Sequence, residues 1–213
     1  MGVKLGGRDG ALLRFDPAGT ETLQILAQRF PDAAKKARRR AINKTLRWLR
    51  TNIARAISRE ERIALRAVRQ RLLAYPPKGG VEVGRLWLGL NPMEASRAGR
   101  PRQTQTGVSV AGRTYRGAFY ARAYGSNPDI WIRTGSLHFD PADYPESQVV
   151  SLRNTRRGTM DAFRYGRFPL AKARITLSSA RPLFDQWARR AEARFAELAQ
   201  HEVNYELRKL TGG

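Results

Sequence analysis

Hydrophobic positions recur at helical spacing most clearly between residues 32 and 58. Ile42, Leu46, Leu49, Ile53 and Ile57 follow one another there at steps of 4, 3, 4 and 4. That spacing predicts a long amphipathic helix with these five side chains on one side. At about 100° per residue, Lys36, Arg40, Lys44, Arg47 and Arg55 fall on the opposite side, within an arc of about 100°. Pro31 sits at the first helical turn, where a missing N–H costs little. Ahead of it, Thr20 and Glu21 predict the N-cap and first turn of a short helix through Leu23, Leu26 and Phe30. Behind it, Ser58 and Glu61 have capping-box spacing, predicting a break and a third helix over 61–73 that buries Ile63, Leu65, Val68 and Leu72. Pro76-Pro77 and Gly79-Gly80 end that helix.

From residue 81 the apolar period changes from helical to alternating. Residues 81–90 (VEVGRLWLGL) predict a strand, and residues 91–106 a long, polar, mobile loop. Residues 108–115 predict a hairpin turning at Ala111-Gly112. Short strands are expected over 118–124 and 130–133, separated by Gly125-Ser126-Asn127-Pro128. Residues 134–166 have no readable period. A final helix is expected over 182–210, with Ser178-Ser179 as cap material. Its apolar stripe is Phe184, Trp187, Ala191, Phe195 and Leu198, continued by Tyr205 past Glu202. Helices, then strands, then a helix imply an α+β fold rather than alternating α/β. The expected organisation is a glycine-rich N-terminal arm at 1–19, with a short strand around Ala11–Phe15, ahead of one domain at 20–213. That domain comprises helices at 20–73, a small antiparallel sheet with long loops at 81–177 and the C-terminal helix.

Charge changes this picture more than any other property. The 213 residues carry 40 Lys and Arg against 18 Asp and Glu, a net +22, and 33 of the 40 are arginine. Residues 35–72 alone hold 14 basic and 2 acidic side chains. Balanced surfaces mix signs, so a one-sign helical face argues for a polyanionic partner: nucleic acid, an acidic protein surface or anionic lipid. Arginine suits planar, bidentate grip on phosphate. Arg97, Arg100 and Arg102 make a secondary basic loop. No stretch is apolar enough for a transmembrane helix, and residues 1–16 lack the apolar core of a signal peptide, so a soluble chain in the cytoplasm at synthesis is expected.

Candidate chemistry is sparse. With no cysteine there is no disulfide, thiolate metal site or cysteine nucleophile. His201-Glu202 opens like a zinc-protease helix, but Tyr205 stands where the second histidine is required. Lys78-Gly79-Gly80 has neither the upstream glycine nor the following Ser/Thr of a phosphate loop. Asp140, Asp143 and Glu146 could hold a hard cation, although such clusters more often accept ion pairs from arginines. No cofactor is expected and no catalytic set is evident. Zinc-finger ligands, aromatic RNA-recognition strands and GXXG clamps are absent from the sequence, and a helix-turn-helix at residues 58–73 is a loose match.

The order of several short motifs resembles one family. Ala41-Ile42-Asn43-Lys44-Thr45 in the long helix is followed by Val68-Arg69-Gln70-Arg71-Leu72. Gly117-Ala118-Phe119-Tyr120-Ala121, Ile130-Trp131-Ile132-Arg133, Arg167-Phe168-Pro169-Leu170 and Ala180-Arg181-Pro182 come next, in that order. Together, over residues 35–210, they resemble the minor tail protein Z (tail completion protein) family of tailed bacteriophages. The chain departs from that pattern by an inserted stretch over 136–159, and by Ser178-Ser179-Ala180 in place of a Gly-Pro-Ser turn. The resemblance implies a non-enzymatic virion protein that completes the head-proximal end of the tail and helps join tail to head. It implies a homo-oligomer, as a six-fold ring, against tail terminator, tail tube and head–neck proteins, with double-stranded genomic DNA passing through or stopping near it. A ring about 40 Å tall would surround roughly 24 phosphates, and six copies of the five-cation stripe would supply about 30 charges. The alternative from the residues alone is a standalone, sequence-independent nucleic-acid-binding protein. A metal-dependent nuclease using Asp140, Asp143 and Glu146 is a further rival.

Overall fold

A computed structural model describes residues 2–6 (backbone only), 10–17, 19–79, 82–123, 126–144 and 170–212. The fold is α+β, and the chain forms two compact units. The first comprises Met1–Glu60, Val68–Leu90 and Ser178–Gly213; the second comprises Glu61–Ala67 and Asn91–Leu177. This replaces the expected arm plus one domain.

In the first unit, strands β1 (Gly2–Gly6), β2 (Gly10–Asp16), β3 (Leu72–Tyr75) and β4 (Gly84–Gly89) make an antiparallel sheet in the order β1-β2-β4-β3. The N-terminal residues are therefore sheet, not arm, and the reason is burial: Ala11, Leu13 and Phe15 are fully enclosed. Helix α1 (Glu21–Arg29) starts where expected, with the Thr20 hydroxyl accepting from Leu23 N–H. Helix α2 runs unbroken from Pro31 to Glu60. Ser58 lies inside it, so the expected capping box does not form. The helix instead ends before Arg62, whose φ of 52° breaks the helical path.

All five residues of the predicted apolar stripe are buried, with Ile42 and Leu46 lying under the sheet at Gly84. A second strip of small residues, Ala34, Ala37, Ala41 and Thr45, is buried beside it. Thr45 satisfies its hydroxyl by donating to Ala41 O at 2.9 Å.

Helix α3 (Leu65–Arg71) is shorter than expected, and Leu72 turns into β3 because its backbone pairs with Leu88 of β4. Arg50 of α2 fixes this switch by donating to Leu72 O at 2.9 Å. The last helix is two: α4 (Ala180–Ala188) and α5 (Ala191–Leu210). A tight turn separates them, with Arg190 N–H donating to Trp187 O three residues back. Helix α5 lies along α2, and Phe195 packs edge-on against Phe15, ring centroids 5.8 Å apart. Tyr205 is exposed and does not continue the stripe; Glu202, Val203 and Glu206 are buried in its stead.

The second unit is built of short strands. Strands β5 (Met93–Glu94) and β12 (Arg174–Ile175) pair; β6 (Arg102–Thr104), β7 (Gly107–Val110) and β8 (Arg113–Arg116) make a meander. Strands β9 (Phe119–Ala121), β10 (Asp129–Arg133) and β11 (Leu170–Lys172) form a third sheet in the order β11-β10-β9. The predicted hairpin turn is present, with Ala111 and Gly112 both at positive φ (53° and 75°), as a type I′ connection requires. The expected mobile loop at 91–106 is ordered: Met93, Ala95 and Ala98 are buried around a 3₁₀ turn at Ala95–Ala98. Gln103 bridges its neighbours, donating to Gly107 O and accepting from Tyr120 N–H.

Candidate functional site

The cationic side of α2 is where sequence and structure meet, and the structure divides its five predicted contacts. Lys36, Arg47 and Arg55 are exposed and form no ion pair among the described residues. Arg40 and Lys44 do not belong with them. Arg40 Nε lies 2.5 Å from Glu202 Oε2, and its Nη2 pairs with Glu206 Oε1. Lys44 Nζ lies 2.5 Å from Glu202 Oε1, and the Arg40 guanidinium sits 5.1 Å above the Tyr205 ring. Two cations one turn apart on α2 thus clamp two carboxylates one turn apart on α5. The helical wheel does not separate these two cations from the rest, since Arg40 falls mid-arc between Lys36 and Arg55. The neighbour decides, because the two buried carboxylates of α5 reach Arg40 and Lys44 and, among the described residues, no others of the five.

The clamp is electrostatically one-sided. The Glu202 and Glu206 side chains are 5% and 7% exposed, while those of Arg40 and Lys44 are 35% and 51% exposed. Burial by itself would raise the Glu202 carboxyl, but hydrogen bonds from Lys44 and Arg40, and their charges, carry it below the usual carboxylate range. Burial would likewise lower Arg40, and the two glutamates reverse that and raise it.

Lys36 instead lines a small depression of about 150 Å³ with Lys35, Arg39, Lys78, Asp32 and Glu82. Glu82 is already engaged, accepting from Arg38 Nη1 at 2.6 Å, and Arg38 also pairs with Asp16 at 3.2 Å. Four cations therefore face one carboxylate, Asp32, that makes no ion pair among the described residues. The depression is a ready site for an anionic group of phosphate size. Arg97, Arg100 and Arg102 are exposed and belong to the second unit, and Arg97 makes interactions of its own.

Among the described residues, Asp140 and Asp143 of the acidic cluster do not form a cation site. Asp140 Oδ1 accepts from Ala142 N–H at 2.9 Å, closing a local turn, and Glu146 lies outside the described residues. Asp143 is raised by burial and by Asp140. Among the described residues no three His, Cys, Asp or Glu side chains group as a metal site, and no helix is long and apolar enough to cross a membrane.

Sequence reasoning missed one further cluster. Lys172 Nζ lies 3.0 Å from Asp129 Oδ2, 3.1 Å from Glu94 Oε1 and 5.0 Å from the Trp131 ring centre. Burial would lower this lysine, but both carboxylates hydrogen-bond it and raise it, which favours its charged form. No local signal joins residues so far apart. The partners Glu202 and Glu206 were missed as well; the one trace of them in the sequence is that they stand one turn apart on the last helix, as Arg40 and Lys44 do on α2. The chain matches no protein-family model, no curated protein and no solved structure.

Proposed function

We propose that this chain is a structural protein of a tailed-phage virion. It completes the head-proximal end of the tail as an oligomeric, six-fold ring, and its free α2 cations face genomic DNA or an acidic neighbour in the neck. The order of motifs over residues 35–210 supports the tail role. The observation that carries the polyanion contact is the uncompensated set Lys35, Lys36, Arg39, Arg47 and Arg55, left over after Arg40 and Lys44 are consumed by α5.

That consumption changes which cations do the matching, not how many. Of the five-residue stripe three cations remain, and Lys35 and Arg39 bring the free set back to five, so six copies supply about 30 charges against roughly 24 phosphates over the same length of duplex. The ring retains DNA through phosphate contacts, with no base readout.

Imaging assembled particles carrying labelled protein tests the role: density at the head–tail junction is expected, and absence from particles overturns it. The contact is tested by the triple variant Lys36→Glu, Arg47→Glu, Arg55→Glu. It should fold and enter particles that fail to hold or deliver DNA; normal infectivity refutes the contact. Tight, salt-steep duplex affinity of the isolated monomer would instead favour the standalone nucleic-acid-binding reading.

A further inference from the structure

The outer face of the first unit's sheet carries a feature that the tail role does not use. Alternation puts Leu12, Arg14, Leu73, Tyr75, Arg85 and Trp87 on that face, opposite the enclosed Leu13, Phe15, Leu72, Leu86 and Leu88. Register aligns them in two rows across β2, β4 and β3: Leu12–Trp87–Leu73, and Arg14–Arg85–Tyr75. Lys4 of β1 stands at the register position opposite Arg14.

Trp87 has an unusual floor. Gly10 and Gly89 are register partners, and a Cβ on Gly10 would fall 2.6 Å from the indole Nε1, while one on Gly89 would fall 2.9 Å from Cη2. Any side chain at either position would lift the ring. The two glycines therefore let the indole lie across the sheet, in the space where two side chains would otherwise stand. Its N–H has no partner among the described residues.

The ring borders a groove of about 380 Å³ with Leu12, Leu73, Tyr75 and Arg85. Tyr75 and Arg85 also line an adjoining cleft of about 690 Å³ with Arg14 and Lys78. No acidic residue lines either space among the described residues, and the Arg85 guanidinium rests 5.8 Å from the Tyr75 ring centre.

A flat aromatic surface bordered by cations that form no ion pair among the described residues is complementary to a ligand that offers π-faces and negative charge together. Duplex DNA hides its base faces in the stack; a single strand exposes them. We infer that this sheet face binds single-stranded DNA. One base stacks on Trp87 and a neighbour reaches Tyr75, a diagonal position about 7 Å away, while Arg14, Arg85 and Lys78 take the phosphates. The groove walls, Leu12 and Leu73, give apolar contact to deoxyribose and no side-chain partner for a 2′-hydroxyl. Lys78 lines both this cleft and the α2 depression, but Trp87, Tyr75, Arg14 and Arg85 take no part in the α2 contact, and the inference survives if the tail role fails.

Fluorescence anisotropy on the full chain tests it, with labelled oligo-thymidylate of about 15 nucleotides, oligo-uridylate and a duplex of equal length. The wild type should prefer oligo-thymidylate. Trp87→Leu keeps an apolar side chain without the π-face and should weaken that binding about tenfold, while Trp87→Phe loses little and neither changes duplex affinity. Arg14→Gln with Arg85→Gln should flatten the salt dependence of single-strand binding by about 1.4 in slope.

Three results overturn the inference. They are equal losses of single-strand and duplex affinity in Trp87→Leu, tighter binding of oligo-uridylate, and concentration-dependent self-association abolished by Trp87→Leu. The last would seat a second copy of the chain on this face.

Discussion

Replacing Arg40 with Met keeps the aliphatic stem between α2 and α5 and removes only the charge. Glu202 then retains Lys44, but Glu206, with a side chain 7% exposed, has lost its one cation among the described residues. Stranding a buried charge costs several kcal/mol, about 3–5 when one partner of a buried pair is removed. Here protonation sets a ceiling. A carboxylate with an unfolded pKa of about 4.3 can pick up a proton for about 1.4 kcal/mol per pH unit above that value. The charge part of the penalty for a stranded carboxylate is therefore limited to about 3.7 kcal/mol near pH 7, or about 1 kcal/mol near pH 5, the lost hydrogen bond being additional.

The wild type moves oppositely. Glu202 is held below its ordinary value, so its stabilisation is present above the unfolded carboxylate pKa and fades as pH falls through the folded one. The gap between variant and wild type should accordingly be about 3 kcal/mol near neutrality and should narrow on acidification. Near pH 7 that corresponds to a Tm lower by about 6–12 °C for a chain of this size. Glu206→Gln removes a charge without stranding one, because Arg40 keeps Glu202, and should cost about 1 kcal/mol or less. Urea unfolding followed by far-ultraviolet circular dichroism at the two pH values measures all of this. A pH-independent gap, or a Glu206→Gln loss as large as that of Arg40→Met, would refute the reasoning.

The same logic applies in the second unit: Lys172→Met strands Asp129, whose side chain is 7% exposed, and should cost about 2–3 kcal/mol, read as faster amide exchange at Ile130 and Ile132. Ala111→Asn suits the left-handed first position of the hairpin turn and should stabilise by about 0.5–1 kcal/mol; a lower Tm would contradict the turn assignment. Thr20→Ala removes the hydroxyl that accepts from Leu23 N–H and should cost about 1 kcal/mol, seen as faster exchange in the first turn of α1.

Sequence alone determined the features that repeat over a few residues. The stripe from Ile42 to Ile57, the Thr20 cap, the Ala111-Gly112 turn and the α+β order all rest on local periodicity and backbone preference, which neighbouring residues encode. The cationic composition of α2 was equally plain. Tertiary structure decided what those charges do. A helical wheel places Arg40 and Lys44 on one arc with Arg47 and Lys36, but not which neighbour borders that arc. Glu202 and Glu206 reach Arg40 from 162 and 166 residues away. The same holds for Leu72–Tyr75, a strand only because β4 offers its backbone as a partner, and for Trp87, laid across two glycines from separate strands. Pairing between distant segments has no period along the chain, so it becomes visible only when the chain is folded.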